Sequence, residues 1–97
     1  MNSNEYAEKQ LVLSSNLCVP EWLFESIKKQ VIEIAPAVDP YAKYTLESLC
    51  GDEFWGSLSN WHRRLAGRCM AYMVEHERVP YRFAGHLCES PKKYMLK

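Results

Sequence analysis

Asn60, Arg63, Arg64 and Arg68 fall within nine residues of one another, and Arg82, Lys92 and Lys93 follow before the chain ends at residue 97. A guanidinium can pair bidentately with guanine and an asparagine amide with adenine, while lysines neutralise phosphate. On a helix, Arg64 and Arg68 stand one turn apart and share a face. A plainer reading of the same residues is a solvated helix face, with Arg64 and Arg68 pairing with acidic groups elsewhere in the chain. Three arginines also fall short of the roughly 6 to 10 phosphate contacts of a strong duplex binder.

Catalytic chemistry has thinner support. Asp52-Glu53 with His62 and Arg63 could be drawn as acid, base and anion clamp. Adjacent carboxylates on a helix point to different sides, however, and the sequence has no nucleophile elbow, phosphate loop or His-Glu-x-x-His. The pair is more simply helix-start charge. The expectation is a protein that is not an enzyme and uses no cofactor.

The cysteines, Cys18, Cys50, Cys69 and Cys88, are separated by 32, 19 and 19 positions and include no Cys-x-x-Cys pair. The nearest approach to a ligand set is His86-x-Cys88 with Cys69 and His76 upstream. Structural zinc sites favour closely paired ligands, so no metal is expected. The first ten residues are polar and lack the apolar stretch of a secretory signal, and no run reaches the ~18 apolar residues of a membrane span. These features suit a reduced, cytoplasmic protein whose cysteines act as small buried hydrophobes, without membrane partners.

The elements that would position the basic residues follow from the spacing of apolar ones. Residues 1–19 read as a loosely held polar arm and residues 20–97 as one domain, the most that so short a chain accommodates. Pro20 suits a first helical turn, and Trp22, Leu23, Phe24, Ile27, Val31 and Ile34 recur near the 3.6 period, predicting a helix over 20–34. Pro36 and Pro40 punctuate a linker. Residues 41–45 are rich in strand formers, and 46–50 predict a helix capped by Thr45 and interrupted at Gly51. Residues 52–56 continue that helix or begin a new turn.

Ser59 offers an N-cap for the longest helical pattern, 60–77, with Trp61, Leu65, Cys69, Tyr72 and Met73 on one side. Residues 79–84 and 92–97 then predict two strands of a hairpin, with turn residues at 85–91. Among the aromatics, Trp22, Phe54 or Trp55, Trp61 and Phe83 are expected to point inward. Exposure of Tyr81 or Tyr94 beside Arg82 and Lys93 would instead mark a stacking or protein-binding surface. Gly67 marks a small-residue face or simply permits tight helix packing.

Helix, short strand, helix, turn, longer helix and terminal hairpin is an order that resembles the winged-helix variant of the helix-turn-helix fold. The match runs from Tyr44-Thr45-Leu46 to Lys97, with residues 20–34 standing for the first helix. The resemblance implies a mainly α fold with a small C-terminal β-hairpin. It places a recognition helix at 60–77, entering a DNA major groove, and a wing at 79–97, touching backbone or minor groove.

The formal charge of zero, from twelve basic and twelve acidic residues, is a cancellation. Residues 1–57 hold four basic against nine acidic residues, a balance of −5. Residues 58–97 hold eight against three, a balance of +5, and coincide with the proposed recognition helix and wing. The expected function is that of a small regulator or accessory factor binding double-stranded DNA, as a homodimer if it is sequence-specific. The alternative is a protein-interaction module, such as an inhibitor or adaptor from a phage or mobile element, which the bipolar charge and aromatic content suit equally.

Overall fold

The computed structural model describes residues 9–85 and 91–97. The proposed turn at 85–91 therefore lies mostly outside the described residues, as do His86 and Cys88 of the weak ligand set. Element order is β1 (Gln10–Ser14), β2 (Leu17–Pro20), α1 (Glu21–Ile34), a single 3-10 turn (Ala35–Ala37), β3 (Tyr44–Thr45), α2 (Leu46–Cys50), α3 (Asp52–Ser57), α4 (Asn60–Glu75), β4 (Tyr81–Ala84) and β5 (Lys93–Leu96).

The fold is mixed α/β with two small antiparallel sheets, which corrects the expectation of a mainly α fold with a single C-terminal hairpin. Two causes account for the difference. Within the segment read as a loose arm, Leu11 and Leu13 alternate with exposed Gln10, Val12 and Ser14, a period of two that lays one face on the core. A turn at Ser15-Asn16 folds the chain back, and Leu17 and Val19 supply the matching inward positions, with Leu11 opposite Val19. The second cause is β3, which pairs with β5 through Tyr44↔Tyr94 and Thr45↔Lys93. The C-terminal hairpin thus becomes a three-stranded sheet of order β3-β5-β4.

The helices start and stop where local chemistry dictates. Thr45 Oγ1 accepts the Ser48 N–H at the start of α2, and Ser59 Oγ accepts the His62 N–H at the start of α4. Gly51 stands between α2 and α3 at φ 87°, ψ 151°, a region open only to glycine. At the end of α4, Glu77 takes φ 54° so that its own N–H reaches Val74 O and the Arg78 N–H reaches Met73 O, closing a Schellman turn without the usual glycine.

The core lies where α1 and α4 meet the sheet, and holds Val19, Leu23, Ile27, Val31, Met70, Met73, Tyr81 and Tyr94. Tyr81, fully buried, donates its hydroxyl to Val31 O across 2.7 Å. In this last turn of α1 the Ala35 N–H is directed to Ile32 O by the tightening into the 3-10 turn. The tyrosine thereby fastens the end of α1 to β4. Among the described residues, no helix is long and apolar enough to cross a membrane.

Candidate functional site

The inward stripe of α4 is Leu65, Ala66, Cys69, Met70, Met73 and Val74. Projecting that stripe back four residues from Ala66 makes His62 the inward residue of the first turn, and His62 indeed meets the Trp22 ring edge-to-face at 5.0 Å. Trp61 is consequently turned out, with 62 % of its surface exposed. This corrects the inward placement expected of Trp61. Trp22, also expected inside, is 39 % exposed, and the large buried aromatics are instead Tyr81, Tyr94 and Phe24. Buried Tyr81 and Tyr94 therefore mark no stacking or protein-binding surface.

The outer stripe of α4 follows directly: Trp61, Arg64, Gly67, Arg68 and Ala71, with exposed Glu75 marking its acidic end. Arg64 and Arg68 are exposed and make no ion pair among the described residues. The pairing with the acidic half of the chain that the plainer reading allows is not present there. An unpaired guanidinium at the surface keeps its five donors available to an incoming acceptor. Between and beside these arginines the side chains are small, so a partner can approach the helix backbone closely. A Cβ at Gly67 would meet nothing within 4 Å, so internal packing gives no reason for the glycine.

The other sequence-nominated residues divide by environment. Arg63 is half-buried, and its Nε donates to Trp55 O at 3.1 Å while its guanidinium carbon stands 6.0 Å from the Trp55 ring centroid. It fastens α4 to α3. Asn60 is exposed and its Oδ1 faces Arg63 Nη1 at 3.5 Å. Arg82 is exposed on β4, its guanidinium lying against Met95 Sδ at 3.5 Å across the hairpin. Lys92 and Lys93 are exposed, with Lys93 opposite both Thr45 and Ala84 in the sheet. Arg64 and Arg68 thus share one helix face, whereas Arg63 belongs to the α3–α4 junction and Arg82, Lys92 and Lys93 belong to the sheet.

The possible acid–base set is dispersed in its contacts. Asp52 and Glu53 are exposed in the first turn of α3, while His62 faces Trp22 and Arg63 faces Trp55. Among the described residues no three His, Cys, Asp or Glu side chains gather as a metal site. Cys50 and Cys69 are buried, and burial pushes each thiol up to about 12, so neither is a ready thiolate at neutral pH. Cys18 is exposed on β2, opposite Val12.

A second surface was not legible in the sequence. An open groove of about 530 Å³ lies beside α1 and the α2–α3 junction, lined in part by Gln30, Asp52, Glu53 and Phe54. It continues past Gly51 to Glu33, Ile34 and Leu49. Asp52, Glu53 and Phe54 are consecutive in sequence, but their place beside Gln30, Glu33 and Ile34 is set only by the packing of α1 on α2.

Residues 29–94 match a family described as a domain of unknown function (DUF1413), and the chain belongs to that family. The matched span runs from the second half of α1 into β5 and includes all of α4. No curated protein and no solved structure matches the chain.

Proposed function

We propose that this protein is a small, non-enzymatic DNA-binding factor of the cytoplasm, acting as a regulator or accessory protein. The observation that carries the reading is the outer stripe of α4, where Arg64 and Arg68 stand exposed and unpaired among the described residues, with Trp61 one turn before Arg64. In this reading α4 lies in the major groove and the β4–β5 hairpin reaches the backbone through Lys92 and Lys93. Arg64 and Arg68 carry base or phosphate contacts, Trp61 supplies an apolar contact to a thymine methyl, and Arg82 and Asn60 stand at the margins. Arg63 acts through its hold on α3, setting the angle of α4. Fluorescence anisotropy with labelled duplexes at low salt tests the proposal. Binding that falls at least tenfold in an Arg64→Glu/Arg68→Glu variant is expected. Absence of binding to any duplex, or binding unchanged in the variant, refutes it.

The second reading, an interaction module of phage or mobile-element type, has its own observation. Trp61 at 62 % exposure beside the Trp22–His62 pair is the kind of aromatic anchor that protein interfaces bury. Specific capture of a protein partner that requires Trp61, with no DNA binding, would favour it.

A further inference from the structure

The two ends of the charge cancellation are separate surfaces of one molecule. The groove beside α1 and α2–α3 carries Glu33, Asp52 and Glu53 around Ile34, Leu49 and Phe54. Ile34 retains 39 % exposure and Phe54 is half-buried, so the groove offers apolar area as well as charge. The outer stripe of α4 offers the converse: two arginines around small residues, with a large exposed tryptophan at one end. Within the chain no ion pair joins them among the described residues, because the arginines point away on their own helix face.

We propose that the α4 stripe of one copy docks into the acidic groove of a second copy, giving a head-to-tail, salt-sensitive self-association. Charge complementarity selects this occupant: the half of the chain that supplies the groove carries −5 and the half that supplies the stripe carries +5. Arg64 and Arg68 meet Glu33, Asp52 and Glu53, while Trp61 covers the apolar floor. The contact is heterologous, so a pair leaves one stripe and one groove free between its two copies and assembly continues beyond it. DNA and the second copy then compete for the same arginines, and a duplex that occupies α4 disperses the assembly.

Sedimentation velocity across a wide concentration range tests this with the full chain. The wild type is expected to grow in mass with concentration at low salt and to sediment as a monomer at high salt. Glu33→Gln/Glu53→Gln, which lacks most of the groove charge, and Arg64→Gln/Arg68→Gln, which lacks the stripe charge, are each expected to remain monomeric. Mixed in equal amounts they have one good groove and one good stripe between them, and a heterodimer that doubles the mass and grows no further is expected. A wild type that stays monomeric, variants that still self-associate, or a mixture that stays monomeric each overturns the proposal. In the monomeric case the groove would be left to a basic segment of another protein. Circular dichroism on each variant confirms that it is folded. Glu33→Gln/Glu53→Gln keeps the α4 stripe intact and binds duplex at least as tightly as the wild type, so failure of the self-association proposal and failure of the DNA reading are seen in different measurements.

Discussion

Replacing Gly67 by alanine separates what the fold needs from what a partner needs. Gly67 sits mid-helix in α4, between Arg64 and Arg68 in sequence, and its added methyl would meet no atom within 4 Å. The helix therefore gains the full propensity difference, about 0.8–1 kcal/mol in favour of alanine. For a domain of this size that corresponds to a rise of roughly 4–8 °C in thermal midpoint. The same methyl stands on the outer stripe, where the helix backbone is otherwise most approachable. Overpacking a close contact typically costs about 1–3 kcal/mol, so the affinity of a ligand seated on α4 falls about fivefold or more. Calorimetry and anisotropy on the same preparation read both quantities. A more stable protein that binds less tightly is the expected outcome. A lowered midpoint would refute the open surroundings of Gly67, and an unchanged affinity would refute its place in the contact face.

Three further outcomes concern the scaffold. Tyr81→Phe removes the donor to Val31 O in the core and leaves that carbonyl without it, which should cost about 1–2 kcal/mol by urea unfolding; a change no larger than the roughly 0.5 kcal/mol of neutral surface substitutions would contradict this. Gly51→Ala forces a side chain into a backbone region reserved for glycine and should cost about 1–3 kcal/mol, although no neighbouring atom obstructs the Cβ, and an unaffected midpoint would contradict the conformation. Burial pushes the Cys50 and Cys69 thiols up from 9.0 to about 12 and the Tyr81 and Tyr94 hydroxyls up from 10.0 to about 12. The folded state holds these protons more tightly than the unfolded chain, so their contribution is complete below pH 9 and is lost as pH rises from there through about 12; stability that stays level over that range would contradict the burial.

Much of the scaffold could be read from residue types because it rests on local chemistry. Thr45, Ser59 and Gly51 announce helix ends by capping or by a backbone angle, and all three act so in the structure. The N-terminal hairpin is hard to read in the sequence because Ser, Asn and Gln set the composition of that segment, while its inward apolar residues are only two to a strand. The pairing of β3 with β5 joins residues some fifty apart, and nothing in a two-residue strand specifies its partner. Trp61 was misplaced by treating every apolar residue near the 3.6 period as inward; the phase of the whole stripe, centred on Ala66, Cys69, Met70 and Met73, puts His62 there instead. The distinction between Arg63 and its neighbours depended on Trp55, a contact with a different helix. Of the candidate site, the arginine-bearing helix was legible, whereas which arginines face out and what groove lies elsewhere on the surface are products of tertiary packing.

In the proposed function Arg64 and Arg68, on the outer face of α4, contact duplex DNA. The salt dependence of duplex binding, compared between the wild type and Arg64→Ala/Arg68→Ala, tests it most directly. Each lost phosphate contact reduces the slope of log affinity against log salt by about 0.9, so if both arginines contact phosphate the variant should bind more weakly with a slope shallower by roughly 1.8. If they read bases instead, affinity falls with the slope largely kept. A wild type with no measurable duplex affinity at low salt, or a variant matching it in both affinity and slope, would rule that contact out.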